Sequence, residues 1–166
     1  FCVNDSILKV LKLLKSSIQN HNIDVEICFD GELIINGYPN EFLQVLINIL
    51  NNSKDALLNQ DKNTRFISIK TYIDNKNCVL EVSDNGGGID ETIISKIFDP
   101  YFTTKHKSQG TGIGLYMSHQ IVIEHMKGNI SAKNIEIIKN KKVYKGCSFI
   151  ISLPIIEKNN LEDYII

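Results

Sequence analysis

Apolar residues recur at helical spacing in three stretches of the chain. Ile7, Val10, Leu11, Leu14 and Ile18 share one face of a helix capped at Asp5 or Ser6 and running to about His21. Phe42, Val45, Leu46, Ile49 and Leu50 form a second such face over 41–58, with Pro39 where a first helical turn begins. A third helix is predicted over 112–127, stopped by Gly128. Short alternating runs at 23–29, 33–35, 65–73, 77–83, 130–138 and 144–153 read as strands, the last ended by Pro154. Asp30-Gly31 breaks the first from the second, and Asp74-Asn75-Lys76 joins the third to the fourth. A glycine-rich turn and a short helix near 92–98 lead into a polar stretch, 99–110, that has no period.

Helices and strands therefore mix without the strict rhythm of a parallel sheet, and the short loops between strands imply antiparallel pairing. The expected fold is an α+β two-layer sandwich: a mixed, mostly antiparallel sheet with three main helices on one face. One domain is expected over 1–156, with 157–166 as a frayed C-terminal tail. A length of 166 residues, 43% hydrophobic and 22% charged, suits a single globular domain. The balance of 18 basic against 19 acidic residues offers no basic footprint for nucleic acid or an anionic membrane surface. No apolar run approaches the roughly 20 residues of a membrane span. Cys2, Cys28, Cys78 and Cys147 lie far apart with no CxxC pair, which reads as four reduced thiols in a cytosolic protein.

Three constellations can carry chemistry. Asn48, Asn52 and Asp55 sit at i, i+4 and i+7 on the second helix, one stripe beside its apolar face, with Asn51 next to them. Carboxamide oxygens aimed at one point can complete the oxygen shell of Mg²⁺, although asparagine occurs 18 times here and composition alone can place it anywhere. Asp84-Asn85-Gly86-Gly87-Gly88-Ile89 puts a carboxylate at a strand end before three glycines, which suits either an ordinary turn or the close approach of a planar ligand. Gly110-Thr111-Gly112-Ile113-Gly114-Leu115 opens the third helix with exposed amides suited to an anion, although helix starts are often glycine-rich. The preceding Phe102-Thr103-Thr104-Lys105-His106-Lys107 adds hydroxyls and cations that suit phosphate oxygens or simply a solvated basic loop. Neither a phosphate loop of the G-x-x-x-x-G-K-[ST] type nor the HRD and DFG pair of eukaryotic-type protein kinases is present.

Taken in order, these elements resemble the catalytic ATP-binding domain of two-component sensor histidine kinases, in the gyrase, Hsp90 and MutL ATPase superfamily with its Bergerat ATP-binding fold. The run from Glu41 to Ala56 resembles the family's N box, and Asp84 to Ile89 its G1 box. Ile97-Phe98-Asp99-Pro100-Tyr101-Phe102-Thr103-Thr104-Lys105 resembles the F box, Gly110 to Leu115 the G2 box, and Gly146-Cys147-Ser148-Phe149 with Leu153-Pro154 the closing strand. The resemblance implies Mg²⁺ and ATP as cofactors. It implies Asn52 as the metal ligand, with Asn48 one turn earlier beside metal and phosphates. Asp84 would hold the adenine amino group and Ser148 would support it through a water. Gly86 and Gly88 would wall the base, and Ile89, Ile97 and Phe102 would add apolar contacts. A mobile ATP lid over 100–110 would bring Thr103, Thr104 and Lys105 to the phosphates, with Gly110, Thr111, Gly112, Ile113, Gly114 and Leu115 supplying amides and wall. Asn48 and Lys105 would be the catalytic pair.

An amide at 48 cannot take a proton from water, which favours transfer to another acceptor over hydrolysis. His21, His106, His119 and His125 all lack the acidic residue and proline that follow a phosphoacceptor histidine. The resemblance therefore places the acceptor on a dimerisation and histidine phosphotransfer domain preceding Phe1 in a longer protein, with a response regulator downstream. The domain itself is expected in the cytoplasm, without nucleic-acid or direct membrane contact, whether or not the full-length protein is membrane-anchored. An ATPase of the MutL or Hsp90 kind, or a non-catalytic nucleotide-binding signalling module, are the alternative readings. Many histidine kinases carry Lys or Arg where Asp55 stands, so Lys105, or more weakly Lys54, is expected to neutralise phosphate charge.

Overall fold

The structure is a computed structural model that describes residues 1–105 and 110–155. His106 and Lys107, within the expected lid, and the expected tail 157–166 lie outside the described residues. Five strands form one sheet in the order β1-β2-β3-β5-β4, where β1 is Asp24–Phe29, β2 Phe66–Asp74, β3 Asn77–Asp84, β4 Asn129–Lys139 and β5 Lys142–Pro154. Only β1 and β2 run parallel; the other three pairings are antiparallel. Both hairpins turn on an Asn-Lys pair with positive φ, Asn75 (45°) and Lys76 (67°), then Asn140 (53°) and Lys141 (60°). Two such residues make the turn whose twist matches that of the strands it joins.

Helices α1 (Val3–Asn20), α2 (Pro39–Leu57) and α3 (Gly114–Gln120) cover one face of this sheet. Alternation along the strands puts Ile67, Ile69, Leu80, Val82, Phe149, Ile151 and Leu153 in the core, all at most 4% exposed. They meet Phe42, Val45, Leu46 and Ile49 of α2 and Val3, Ile7 and Val10 of α1. This is the expected α+β sandwich with three helices.

Several boundaries differ from the sequence expectation. Helix α1 starts at Val3, not after a cap at Asp5 or Ser6. Its first amide donates to Leu33 O at 2.9 Å, a tertiary partner that satisfies the helix start without a side-chain cap. The run 33–35 is not a strand; it makes only the single bridges Cys2↔Ile34 and Ile35↔Ile155, which tie it to the residue before α1 and to the residue after β5. The helix near 92–98 is reduced to one 3₁₀ turn, Ile94–Lys96. The third helix begins two residues late because Gly112 has φ +68° and packs against the Tyr101 backbone, where a Cβ would lie 2.4 Å from the carbonyl carbon. It widens into a π-helical turn over Ile121–His125, and Lys127 at φ 54° ends it one residue before Gly128. Among the described residues, no helix is long and apolar enough to cross a membrane.

Candidate functional site

Helix α2 turns its apolar side to the sheet, which leaves Asn48, Asn51 and Asn52 at its edge toward α3 and the polar segment before it. The Asn48 amide nitrogen donates to Gly114 O and to Ser118 Oγ, both at 3.1 Å. The Asn52 amide nitrogen donates to Asn48 O at 2.8 Å. Both amide protons of Asn48 are thus engaged in holding α3, which leaves its carboxamide oxygen for a ligand, while Asn52 keeps its carboxamide oxygen and one amide proton.

These side chains border a cavity of about 360 Å³ that they share with Ile97, Phe102, Thr103, Lys105, Gly110, Thr111, Gly112, Gly114 and Leu115. A second cavity, of about 720 Å³, shares Asn52 and Lys105 with the first and adds Asp55, Ala56, Gly88, Ile89 and Thr104 among its walls. Residues from three separated segments, 48–59, 88–105 and 110–115, are brought together in this way. Ile113, 37% exposed, lines neither cavity, and neither do Asp84, Gly86 and Ser148.

Asp84 ends β3 at 2% exposure. Burial pushes its pKa up, opposed by the Gly86 amide that donates to Oδ1 at 2.9 Å and by the neighbouring Ser53 side chain and Cys147 backbone. Gly86 fits here because a Cβ would stand 2.6 Å from the Ala56 Cβ; its bare backbone lets the loop lie against α2. Ser53, 1% exposed, presents a buried hydroxyl beside this carboxylate that makes no hydrogen bond of ordinary geometry.

One assignment is corrected. Asp84 stands directly opposite Cys147 in the β3–β5 pairing, and directly opposed residues share a face. Ser148 therefore points to the other side of the sheet, where its hydroxyl accepts from Ser83 Oγ at 2.9 Å. The thiol beside Asp84 is Cys147, pushed up to about 12 by burial and then by the Asp84 charge.

The structure also adds residues that the motifs do not single out. Asn85, 3% exposed, accepts from Phe66 N (2.9 Å) and donates to Thr64 O (2.7 Å), so this residue braces the loop from inside. Asn134 of β4 accepts from Ile89 N (2.7 Å) and donates to Ile89 O (2.6 Å), clamping the far end of the glycine turn. Lys105 extends its ammonium to Asp55 Oδ2 at 2.6 Å. Of the described histidines, His21 bonds Ser17 O, His119 lies against the Phe98 ring and His125 pairs with Glu41 at 2.6 Å. Two carboxamide oxygens, two threonines, one ammonium and glycine amides around one polar cavity suit a polyanion carrying a hard divalent cation.

A family model described as histidine kinase-, DNA gyrase B-, and HSP90-like ATPase matches residues 37–157. The two-component sensor PprA of Pseudomonas aeruginosa is 34% identical over 152 residues, 87% of this chain and 15% of PprA. The nucleotide-free catalytic domain of histidine kinase ThkA superposes with a TM-score of 0.77 at 30% identity, covering 93% of each chain. ThkA in complex with response regulator protein TrrA gives a TM-score of 0.69 at 26% identity, covering 93% of this chain and 40% of ThkA. The chain thus spans a small part of its full-length relatives and nearly all of the isolated catalytic domain.

Proposed function

This chain belongs to the histidine kinase-, DNA gyrase B-, and HSP90-like ATPase family, and we propose that it is the kinase unit of a two-component sensor. In this reading it holds Mg-ATP and presents the γ-phosphoryl group to a histidine on a separate dimerisation and phosphotransfer domain. A response regulator would then take the phosphoryl group, as the pairing of ThkA with TrrA leads one to expect. Such a unit works where ATP is supplied, in the cytoplasm.

The observation that carries this reading is the convergence of Asn48, Asn52, Lys105 and the glycine strip 110–114 on one cavity, with an amide rather than a carboxylate at position 48. Asn52 would hold Mg²⁺ through its carboxamide oxygen with Asn48 beside it; the ion, when bound, neutralises phosphate charge. Asp84 would accept from the adenine amino group. Ser53, in place of Ser148, would supply the hydroxyl at that end of the site, with Cys147 packed behind. Gly86 and Gly88 would wall the base, and Ile89, Ile97, Phe102 and Leu115 would exclude water from it. Thr103, Thr104, Lys105 and the amides near Gly110, Thr111, Gly112 and Gly114 would orient the phosphates. Phosphoryl transfer asks mainly for such positioning and charge neutralisation. An amide at 48 offers no base to activate water, which supports transfer to a side chain over hydrolysis.

Calorimetric titration with ATP, with and without Mg²⁺, tests the binding half. Magnesium-dependent binding that Asn52→Ala abolishes is expected, and parental magnesium dependence in that variant refutes the metal assignment. Acid-labile phosphohistidine formed by the full-length kinase tests the transfer half; steady phosphate release without it returns the family's ATPase alternative.

A further inference from the structure

Lys105 lies in the segment 100–110 expected as a lid, and Asp55 is on α2, 50 residues away in sequence. Their side chains meet at 2.6 Å, each 34% exposed. An ion pair this exposed adds little to the stability of a fold, because water and salt screen it and ordering two side chains opposes it. Its consequence is where it puts the ammonium. Lysine is a point charge on a flexible four-carbon stem, with many positions open to it at the rim of a cavity. Three contacts limit that choice here. Asp55 holds the ammonium, the backbone amide of Lys105 donates to Thr103 Oγ1 at 3.1 Å, and Gly110 packs against the stem so closely that a Cβ would lie 3.1 Å from the Lys105 Cβ. Among the described residues the other cation near Asp55, Lys54, stands 3.8 Å from Oδ1 and is itself held at 3.2 Å by Asn51.

Asp55 lines only the larger cavity and Asn48 only the smaller, whereas Lys105 and Asn52 line both, so the carboxylate holds Lys105 from outside the space that Asn48 borders. We propose that Asp55 is a positioning residue for the phosphoryl transfer: it acts through Lys105, holding that cation where it can align the phosphates. This rests on the nucleotide reading above. It also accounts for an acidic residue beside a site that must take a polyanion, where its charge by itself opposes binding. Removing the carboxylate frees the ammonium to collapse onto the phosphates, which binds nucleotide at least as well but orients it worse.

The test is a double-mutant cycle in the full-length kinase with Asp55→Asn, Lys105→Met and the double variant, reading Mg-ATP affinity and the single-turnover rate of phosphohistidine formation separately. Asp55→Asn should slow transfer by about tenfold while its affinity is unchanged or higher. The same substitution in the Lys105→Met background should slow transfer no further, and Asp55→Glu should recover part of the rate. Equal losses in both backgrounds, weaker Mg-ATP binding by Asp55→Asn, or parental rates in that variant would each overturn the proposal. A parent that binds no nucleotide removes the nucleotide reading itself; a parent that binds normally beside an indifferent Asp55→Asn removes this inference alone.

Discussion

Asn48→Asp replaces an amide that donates two protons by a carboxylate of the same shape that donates none. In the parent those protons go to Gly114 O and Ser118 Oγ, each at 3.1 Å, while Ser118 Oγ also donates to Gly114 O at 2.9 Å. Ser118 has one proton, so it can serve Gly114 or the new carboxylate but not both. Two hydrogen bonds at about 1 kcal/mol each are therefore lost, and one carboxylate oxygen is left facing a carbonyl. Position 48 is half-buried, so solvent softens that repulsion, and the total is about 2–3 kcal/mol. For a domain of this size the melting temperature should fall by about 4–12 °C. Asn48→Ala, which removes the bonds without adding the repulsion, should fall by less. A carboxyl group facing acceptors has a folded-state pKa above its unfolded value, so the folded variant takes up a proton more readily. The deficit should accordingly be full at pH 8 and shrink as the pH is lowered toward 5. Thermal unfolding followed by circular dichroism at the two pH values measures both effects. A variant that melts within about 2 °C of the parent at pH 8 would refute the claim that Asn48 holds α3 through both its protons.

Asp84→Asn removes a charge whose burial raises its pKa, so the penalty at neutral pH is relieved and the free domain should melt no lower than the parent, while its ATP affinity falls by about 10–100-fold. By the same sign, the parent gains stability from Asp84 as the pH falls through that raised pKa and loses it as the pH rises; a variant both stable and ATP-competent in calorimetry would show that Asp84 does not read the base. Ser148→Ala should cost about 1 kcal/mol of stability through the lost Ser83 pair and leave nucleotide affinity within about twofold, whereas Ser53→Ala should weaken it; the opposite ranking would restore Ser148 to the site. Leu46→Ala, at a position 1% exposed under α2, should destabilise by about 2–5 kcal/mol in denaturant titration, and a smaller loss would mean the helix layer collapses onto the space.

Most of the site is legible in the chain because its pieces are local. Asn48, Asn52 and Asp55 fall on one stripe of α2 through helical spacing alone, and the cavity does collect Asn48, Asn52, Phe102, Thr103, Lys105 and the 110–115 glycines from the quoted boxes. Where the structure departs from local pattern, the deciding contact is not local. The start of α1 depends on Leu33 O, and the 33–35 run finds its partners at Cys2 and Ile155 rather than in a ladder. Asn134, which clamps the glycine turn, lies 45 residues from Ile89 and carries no motif.

Apolar periodicity was enough to determine a helix-covered mixed sheet, because helix and strand geometry dictate which side chains a few positions apart share a face. The residue types of the site followed from the resemblance that the polar boxes carry in their order, since each box by its spacing alone also suits an ordinary turn or helix start. Which of Cys147 and Ser148 stands beside Asp84, where the Asn48 protons go, and what holds Lys105 were decided by tertiary structure alone. The register of two strands some 60 residues apart, or the packing of one helix on another, is not written in local spacing, and a one-residue difference in register moves a side chain from one face of the sheet to the other.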